Sequence, residues 1–316
     1  MDAIQIEHLD KTYTVGFRMK KKVAVKDLNL TVREGEIFGF IGPNGAGKTT
    51  TIKILTGLNR ATSGIARIFG QDVHKVAPKQ EIGFLPERPY FYEYLTATEF
   101  LDFYGRLFQM PSTLRQERIK KLLDRVELSA VSGVPLRKFS KGMLQRVGVA
   151  QALINDPRLV ILDEPMSGLD PMGRMLIRDI ILEMKKEGRT LFFSSHILSD
   201  VEVICDRVSI LVNGELKAVG TLDELLHGRE QWAEITVRAP ADQVTGLVSG
   251  LADAVNVFPD RVLIKVGQTK NKQEVLGRLV AAGIGIDAVT PRGQTLEELF
   301  MAEVRSARDR YDGGGV

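Results

Sequence analysis

The sequence predicts an α/β fold built on a parallel sheet, followed by a second, smaller α+β domain. Three observations predict it. Short apolar runs rich in β-formers alternate with stretches of helical periodicity. A glycine-rich turn joins one such run to the helix after it. Near residues 228–232 the texture changes to short strands and helices of another order. The 316 residues, 44% hydrophobic and 26% charged, fit two domains at roughly 150 residues each. A chain of this length buries enough surface to need no disulfide or structural metal.

The elements follow in order. Residues 4–7 and 23–32 read as strands. Residues 36–41 are an apolar run that ends at Gly42, and residues 48–58 carry apolar side chains at helical spacing. Residues 91–130 lack strand alternation; Phe100, Leu101, Tyr104, Ile119 and Leu123 recur at helical intervals, so this stretch reads as a helical insert. Its helical character extends to about residue 155. Residues 159–162 form a second buried strand, 172–186 a helix and 190–195 a third strand. Strands of this kind imply a parallel sheet covered on both faces. From Gln231 the order is strand 233–238, helix 241–251, a hairpin with arms 254–258 and 262–266, helix 271–282 and strand 285–289. That β-α-β-β-α-β order matches a split βαβ, ferredoxin-like unit. A last helix, 295–308, leads to a tail at Gly313 to Gly315. The domains are therefore placed at 1–230 and 231–316.

Composition excludes several classes. The single Cys205 removes a disulfide framework and a cysteine-rich zinc site. A net charge of +3 is not the footprint of a dedicated nucleic-acid binder. The densest basic run, Arg18, Lys20, Lys21 and Lys22, reads as a solvated loop. The first residues lack the pattern of a signal peptide, and no apolar run approaches the ~18 residues of a membrane span.

The turn Gly42-Pro43-Asn44-Gly45-Ala46-Gly47-Lys48-Thr49 fits the pattern GxxxxGK[ST] between a strand and a helix. Glycines let successive backbone N–H groups turn inward around a polyphosphate. The helix N-terminus adds unpaired donors and a positive dipole end. Lys48 supplies a charge to the terminal phosphates and the Thr49 hydroxyl a ligand for Mg²⁺. A dinucleotide site is disfavoured because Thr50 stands where its third glycine belongs. Asp163 and Glu164 follow the buried run 159–162 directly, at the sheet edge where open α/β folds bind ligands. Asp163 is the candidate to hold Mg²⁺ and Glu164 to orient and deprotonate the attacking water. An acidic pair opening a helix is the alternative.

With these motifs the sequence resembles the nucleotide-binding subunit of ABC transporters over residues 4–226. The signature region reads Phe139-Ser140-Lys141-Gly142-Met143, the D-loop Ser167-Gly168-Leu169-Asp170, and the switch histidine looks like His196. The resemblance implies a P-loop NTPase fold of ABC type with an antiparallel N-terminal β subdomain. It implies that Tyr13 stacks on adenine and that His196 bonds the γ-phosphate and the Glu164 water. Ser140, Lys141 and Gly142 face the γ-phosphate held by a second copy, with Asp170 at the seam, so that a homodimer or heterodimer sandwiches two ATPs. From the residues alone, Ser140 is also a helix N-cap. His8, His74 and His227 read as structural or exposed.

Two departures stand out. Glu87 replaces the usual glutamine and brings a second carboxylate beside Mg²⁺. Lys141 and Met143 replace the usual Gly and Gln, and Lys141 either supports the phosphate or points to solvent. These features, with the closing run 295–300, resemble the ABC-2 branch, in which the ATPase is a separate chain paired with an integral membrane permease. The expected placement is cytoplasmic, on the inner face of the membrane. The insert would receive the permease, with Tyr90, Phe91, Tyr92 and Tyr94 either at that contact or in the insert's core. A soluble ABC protein acting on ribosomes or DNA, and a regulatory subunit with degraded catalysis, are the rival readings. For the C-terminal domain, dimerisation, regulation, ligand sensing and plain structure all remain open.

Overall fold

The computed structural model describes residues 1–16, 20–226, 232–267, 272–292 and 295–312. Arg18, His227, the junction at 228–231, Asn271 and the glycine tail lie outside the described residues. The chain divides into two compact units: Met1–Leu222 with the segment from Phe300 onward, and Asp223–Leu299.

The first unit opens with β1 (Asp2–Val15) and β2 (Lys20–Arg33), then β3 (Ile37–Ile41), α1 (Lys48–Leu55), β4 (Ser63–Ile68), β5 (Gln71–Asp72), α2 (Ala77–Gln80) and β6 (Ile82–Leu85). The insert follows as α3 (Ala97–Leu107), α4 (Ser112–Arg125) and α5 (Lys141–Ala152). Then come β7 (Leu159–Asp163), α6 (Pro171–Lys186), β8 (Thr190–Ser195), α7 (Leu198–Ile204), β9 (Arg207–Val212) and β10 (Glu215–Thr221). Two sheets form: an antiparallel one in the order β2-β1-β4-β5, and a six-stranded one in the order β10-β9-β3-β8-β7-β6. In the second, β9, β3, β8, β7 and β6 are parallel and β10 is the antiparallel edge.

The apolar runs explain the parallel strands. Every residue of β3, β7 and β8 is buried, as a strand covered on both faces requires. Phe38 stacks on Phe192 at 5.8 Å between ring centroids. Burying each such side chain contributes about 1.5–3 kcal/mol. The core beneath the first sheet draws on Ile4, Leu9, Leu28 and Ile52 among others, so the antiparallel sheet and α1 share one apolar interior. In the insert, Thr96 and Glu99 form a reciprocal capping box that starts α3.

Three expectations change here. Lys20, Lys21 and Lys22 are not loop: they open β2, paired with Val15, Thr14 and Tyr13, and the alternation is hidden because their side chains are exposed. No helix begins at Asp163-Glu164, since α6 starts at Pro171, which removes the dipole alternative. The aromatic run divides: Tyr90 and Tyr94 are exposed, whereas Phe91 packs against Phe100 at 5.2 Å.

The second unit contains α8 (Leu222–Leu226) from Asp223, β11 (Trp232–Val237), α9 (Ala241–Val248), β12 (Ala254–Val257), β13 (Val262–Gly267), α10 (Lys272–Ala281) and β14 (Ile286–Arg292); the last helix, α11 (Leu296–Asp312), starts in this unit and belongs to the first from Phe300. Its antiparallel sheet runs β12-β13-β11-β14, the arrangement of a split βαβ unit. Alternate residues of β11 and β13 are buried, and Ile235, Ile264, Val244, Val275 and Leu279 form the core.

Candidate nucleotide site

Three neighbouring parallel strands, β3, β8 and β7, end on the same side of the sheet, with Ile41 beside Ser195 and Asp163 beside Ser194. The glycine turn leaves β3 there, His196 leaves β8 and Glu164 leaves β7. Residues far apart in sequence therefore meet at one edge, as open α/β sheets place their ligand crevices.

The turn's conformation depends on its glycines. Gly45 and Gly47 have φ of 81° and 111°, values that L side chains avoid. A Cβ on Gly47 would collide with the Ala24 carbonyl, and one on Gly42 with the Leu211 carbonyl. Gly47 is also the N-cap of α1 and has no side chain to satisfy the first N–H groups, which stay available to an anion. The tip of the β9–β10 hairpin supports the turn: Gly214 N–H donates to the Ala46 carbonyl at 2.8 Å, and Lys26 N–H to the Gly214 carbonyl at 2.9 Å.

Lys48 is buried and donates to the Gly42 carbonyl at 2.6 Å. Its Nζ also lies 3.3 Å from Glu164 Oε1, with both side chains under a tenth exposed. The other Glu164 oxygen is 2.7 Å from His196 Nδ1. Glu164 itself has a left-handed φ of 53°, a conformation that costs a non-glycine residue about 1–3 kcal/mol. The strained backbone aims the carboxylate into the crevice between the lysine and the histidine. One hydroxyl fixes both acids: Ser194 Oγ donates to Asp163 Oδ1 at 2.6 Å and accepts from Glu164 N–H at 2.9 Å. Burial pushes the Asp163 carboxyl above its ordinary value, the charges of Glu87 and Glu164 add to the shift, and hydrogen bonds from Ser194 and Thr49 oppose it.

A cavity of about 690 Å³ is lined by Tyr13, Pro43, Asn44, Gly45, Ala46, Gly47, Lys48, Thr49, Thr50, Glu87, Glu164 and His196, with Lys22, Ala24 and Ser167 beside them. Gly42 lies beneath it at the end of β3, and Asp163 is tied to it through Thr49. The Tyr13 hydroxyl accepts from Asn59 Nδ2 at 2.9 Å. Ser140, Lys141, Gly142 and Asp170 do not line this cavity. They sit at two helix starts: Ser140 caps α5 by accepting from Met143 N–H, and Asp170 caps α6 by accepting from Gly173 N–H. Lys141 is exposed, and its aliphatic stem and ammonium lie over Gly168, where a Cβ would displace them. Sequence reading missed Ser194, the Gly214 support and Gln145, which is buried in α5 and donates to the Pro165 carbonyl at 2.9 Å.

Residues 25–167 match the ABC transporter family. An uncharacterised ABC transporter ATP-binding protein of Synechocystis sp. is 44% identical over 308 residues, covering 96% of this chain and 85% of that protein. The chain belongs to the ABC transporter ATP-binding proteins. The linearmycin resistance ATP-binding protein LnrL of Bacillus subtilis is 31% identical, covering 94% of this chain and 97% of LnrL. Among solved structures, the dimeric post-hydrolysis state of the ATP-binding cassette MJ0796, bound to ADP and Pi, superimposes with a TM-score of 0.64 at 25% identity, covering 69% of this chain and 98% of that one. This ABC protein is an ATP-hydrolysing cassette, the nucleotide-binding subunit of a transporter. Among the described residues, no helix is long and apolar enough to cross a membrane.

Proposed function

We propose that this ABC ATPase is the motor of an ABC-2 type exporter, closing on ATP as a pair of copies and driving a separate membrane permease from the cytoplasmic face. The observation that carries the catalytic part is the convergence of Lys48 and His196 on one strained, buried carboxylate, Glu164, at 3.3 and 2.7 Å. Lys48 neutralises the terminal phosphates, Glu164 takes a proton from the attacking water, and His196 holds Glu164 and the phosphate in line. Tyr13 stacks on the base, and the backbone of 42–49 wraps the phosphates.

The donor set fits Mg²⁺. Thr49, Asp163 and Glu87 offer only hard oxygens, and the Asp163 carboxyl, disfavoured as an anion by its burial, gains from a cation beside it. Bound there, Mg²⁺ would offset the charge of the β- and γ-phosphates. Ser140, Lys141, Gly142 and Asp170, set on helix starts away from the cavity, serve the nucleotide of the opposite copy. The insert, with Tyr90 and Tyr94 exposed, receives the permease. The exporter reading is supported by the resistance protein among the relatives. The second unit, Asp223–Leu299, is read as serving dimerisation or regulation.

Affinity purification from the native membrane tests this reading. An integral membrane protein of several spans should co-purify, and its amount on the beads should fall when Tyr90 and Tyr94 are replaced by Ala. Recovery of ribosomes or DNA instead would overturn the transporter role.

A further inference from the structure

Tyr13 is held at both its hydroxyl and its ring. Its hydroxyl accepts from Asn59 Nδ2 at 2.9 Å, and Lys11 Nζ stands over its ring at 4.8 Å from the centroid. Lys11 and Tyr13 are two apart on β1 and so share a face of the strand. Tyr13 lines the nucleotide cavity and Lys11 does not. The ring thus carries a cation over it and also borders the cavity. Both holding groups engage one short segment after α1, since the Lys11 ammonium also donates to the Arg60 carbonyl at 2.7 Å. Two further bonds pin that segment to β1: Thr12 N–H donates to Thr62 Oγ1 at 3.0 Å and Thr62 N–H to the Asp10 carbonyl at 2.8 Å.

The segment follows the helix that presents Lys48 and Thr49 at its other end. An eight-residue helix spans about 12 Å, so one rigid element fixes both the phosphate turn and the orientation of the aromatic ring. We infer that Asn59 and Lys11 are positioning residues for the nucleotide base: they lock the plane of Tyr13 before ATP arrives, and so set the affinity contributed by an aromatic purine. The inference rests on the stacking role given to Tyr13 above. The physical gain is pre-organisation. A free tyrosine loses rotamer freedom when it stacks, whereas a ring already held by a hydrogen bond and a cation loses less.

The test uses the full-length chain with two probes, ATP and inorganic triphosphate, the second of which has the phosphates but no base. Asn59→Ala and Tyr13→Phe each remove one partner of the hydrogen bond, and each should weaken ATP binding roughly three- to tenfold. The double variant should be no worse than either single one. Triphosphate affinity should not change, and the loss in ATPase should appear in KM rather than in kcat. Equal losses for ATP and triphosphate would mean general loosening of the phosphate turn and would overturn the inference. Tyr13→Ala separates the two levels. If it leaves ATP affinity unchanged, the stacking role is wrong. If it weakens ATP while Asn59→Ala and Tyr13→Phe do not, stacking stands and the positioning role falls.

Discussion

Replacing Glu164 by Gln is the most informative single change at the crevice. The side chain keeps its size and its ability to bond His196, but the negative charge goes. In the free chain that charge lies 3.3 Å from Lys48 Nζ, with both groups buried. At an effective dielectric near 20 the gross attraction is about 5 kcal/mol, most of which is offset by desolvation of the two ions. A nucleotide's terminal phosphate competes with Glu164 for the same lysine and is repelled by the carboxylate. Removing the carboxylate therefore frees Lys48 and leaves ATP affinity equal or improved, by about 1 kcal/mol, or roughly fivefold. Hydrolysis should move the other way. Loss of a positioned general base costs roughly 10²- to 10⁴-fold in turnover. Phosphate release at saturating Mg-ATP measures the second effect and equilibrium nucleotide binding the first. A Glu164→Gln chain hydrolysing at the wild-type rate would remove Glu164 from the base role. A large loss of ATP affinity would contradict the competition for Lys48.

Three other outcomes follow from the same structure. Gly47→Ala puts a Cβ against the Ala24 carbonyl at a φ of 111°; it should abolish ATP binding in equilibrium titration, and retained affinity would show that the turn adapts. Ser194→Ala deprives Asp163 of a donor and Glu164 N–H of its acceptor, which should cost about 1–3 kcal/mol and lower Tm by several degrees at about 2–4 °C per kcal/mol; an unchanged melting curve would mean the hydroxyl is dispensable. Hydrogen bonds and charge from Arg118 and Arg189 hold the Asp156 carboxyl down at about 2, against an ordinary value of 3.8. Its folded pKa is depressed, so its stabilisation is present above 3.8 and is lost as pH falls from there toward 2. Urea midpoints compared between pH 5 and pH 2.5 should fall further for the wild type than for Asp156→Asn, and parallel declines would refute the contribution.

Most of the frame is legible in the sequence because backbone demands shape it directly. Buried parallel strands need unbroken apolar runs, and 190–195 matches β8 at both ends. The second unit shows its strand and helix order for the same reason, in the alternation of β11 and β13. The β9–β10 hairpin is harder to read, since no residue of β10 except Gly220 is buried. Its signal lies in Asn213-Gly214, both at positive φ, the pair favoured in a two-residue hairpin turn. The lysines of β2 mislead because an exposed strand end carries the composition of a loop. At the crevice, the glycine turn and the acidic pair are local motifs and are readable. The part played by Ser194 is not, because only the pairing of β7 with β8 brings its hydroxyl to both acids. The course of Lys141 over Gly168 is likewise invisible in sequence: a long side chain settles on whatever the fold brings near it.

Sedimentation of the Glu164→Gln chain with and without Mg-ATP tests the central claim most directly, because the signature helix of one copy is assigned to the nucleotide of the other. A monomer without nucleotide and a dimer with Mg-ATP is the expected result, and the dimer should be lost when Ser140 is replaced by Arg. A chain that binds Mg-ATP tightly yet stays monomeric at every concentration tested would contradict it.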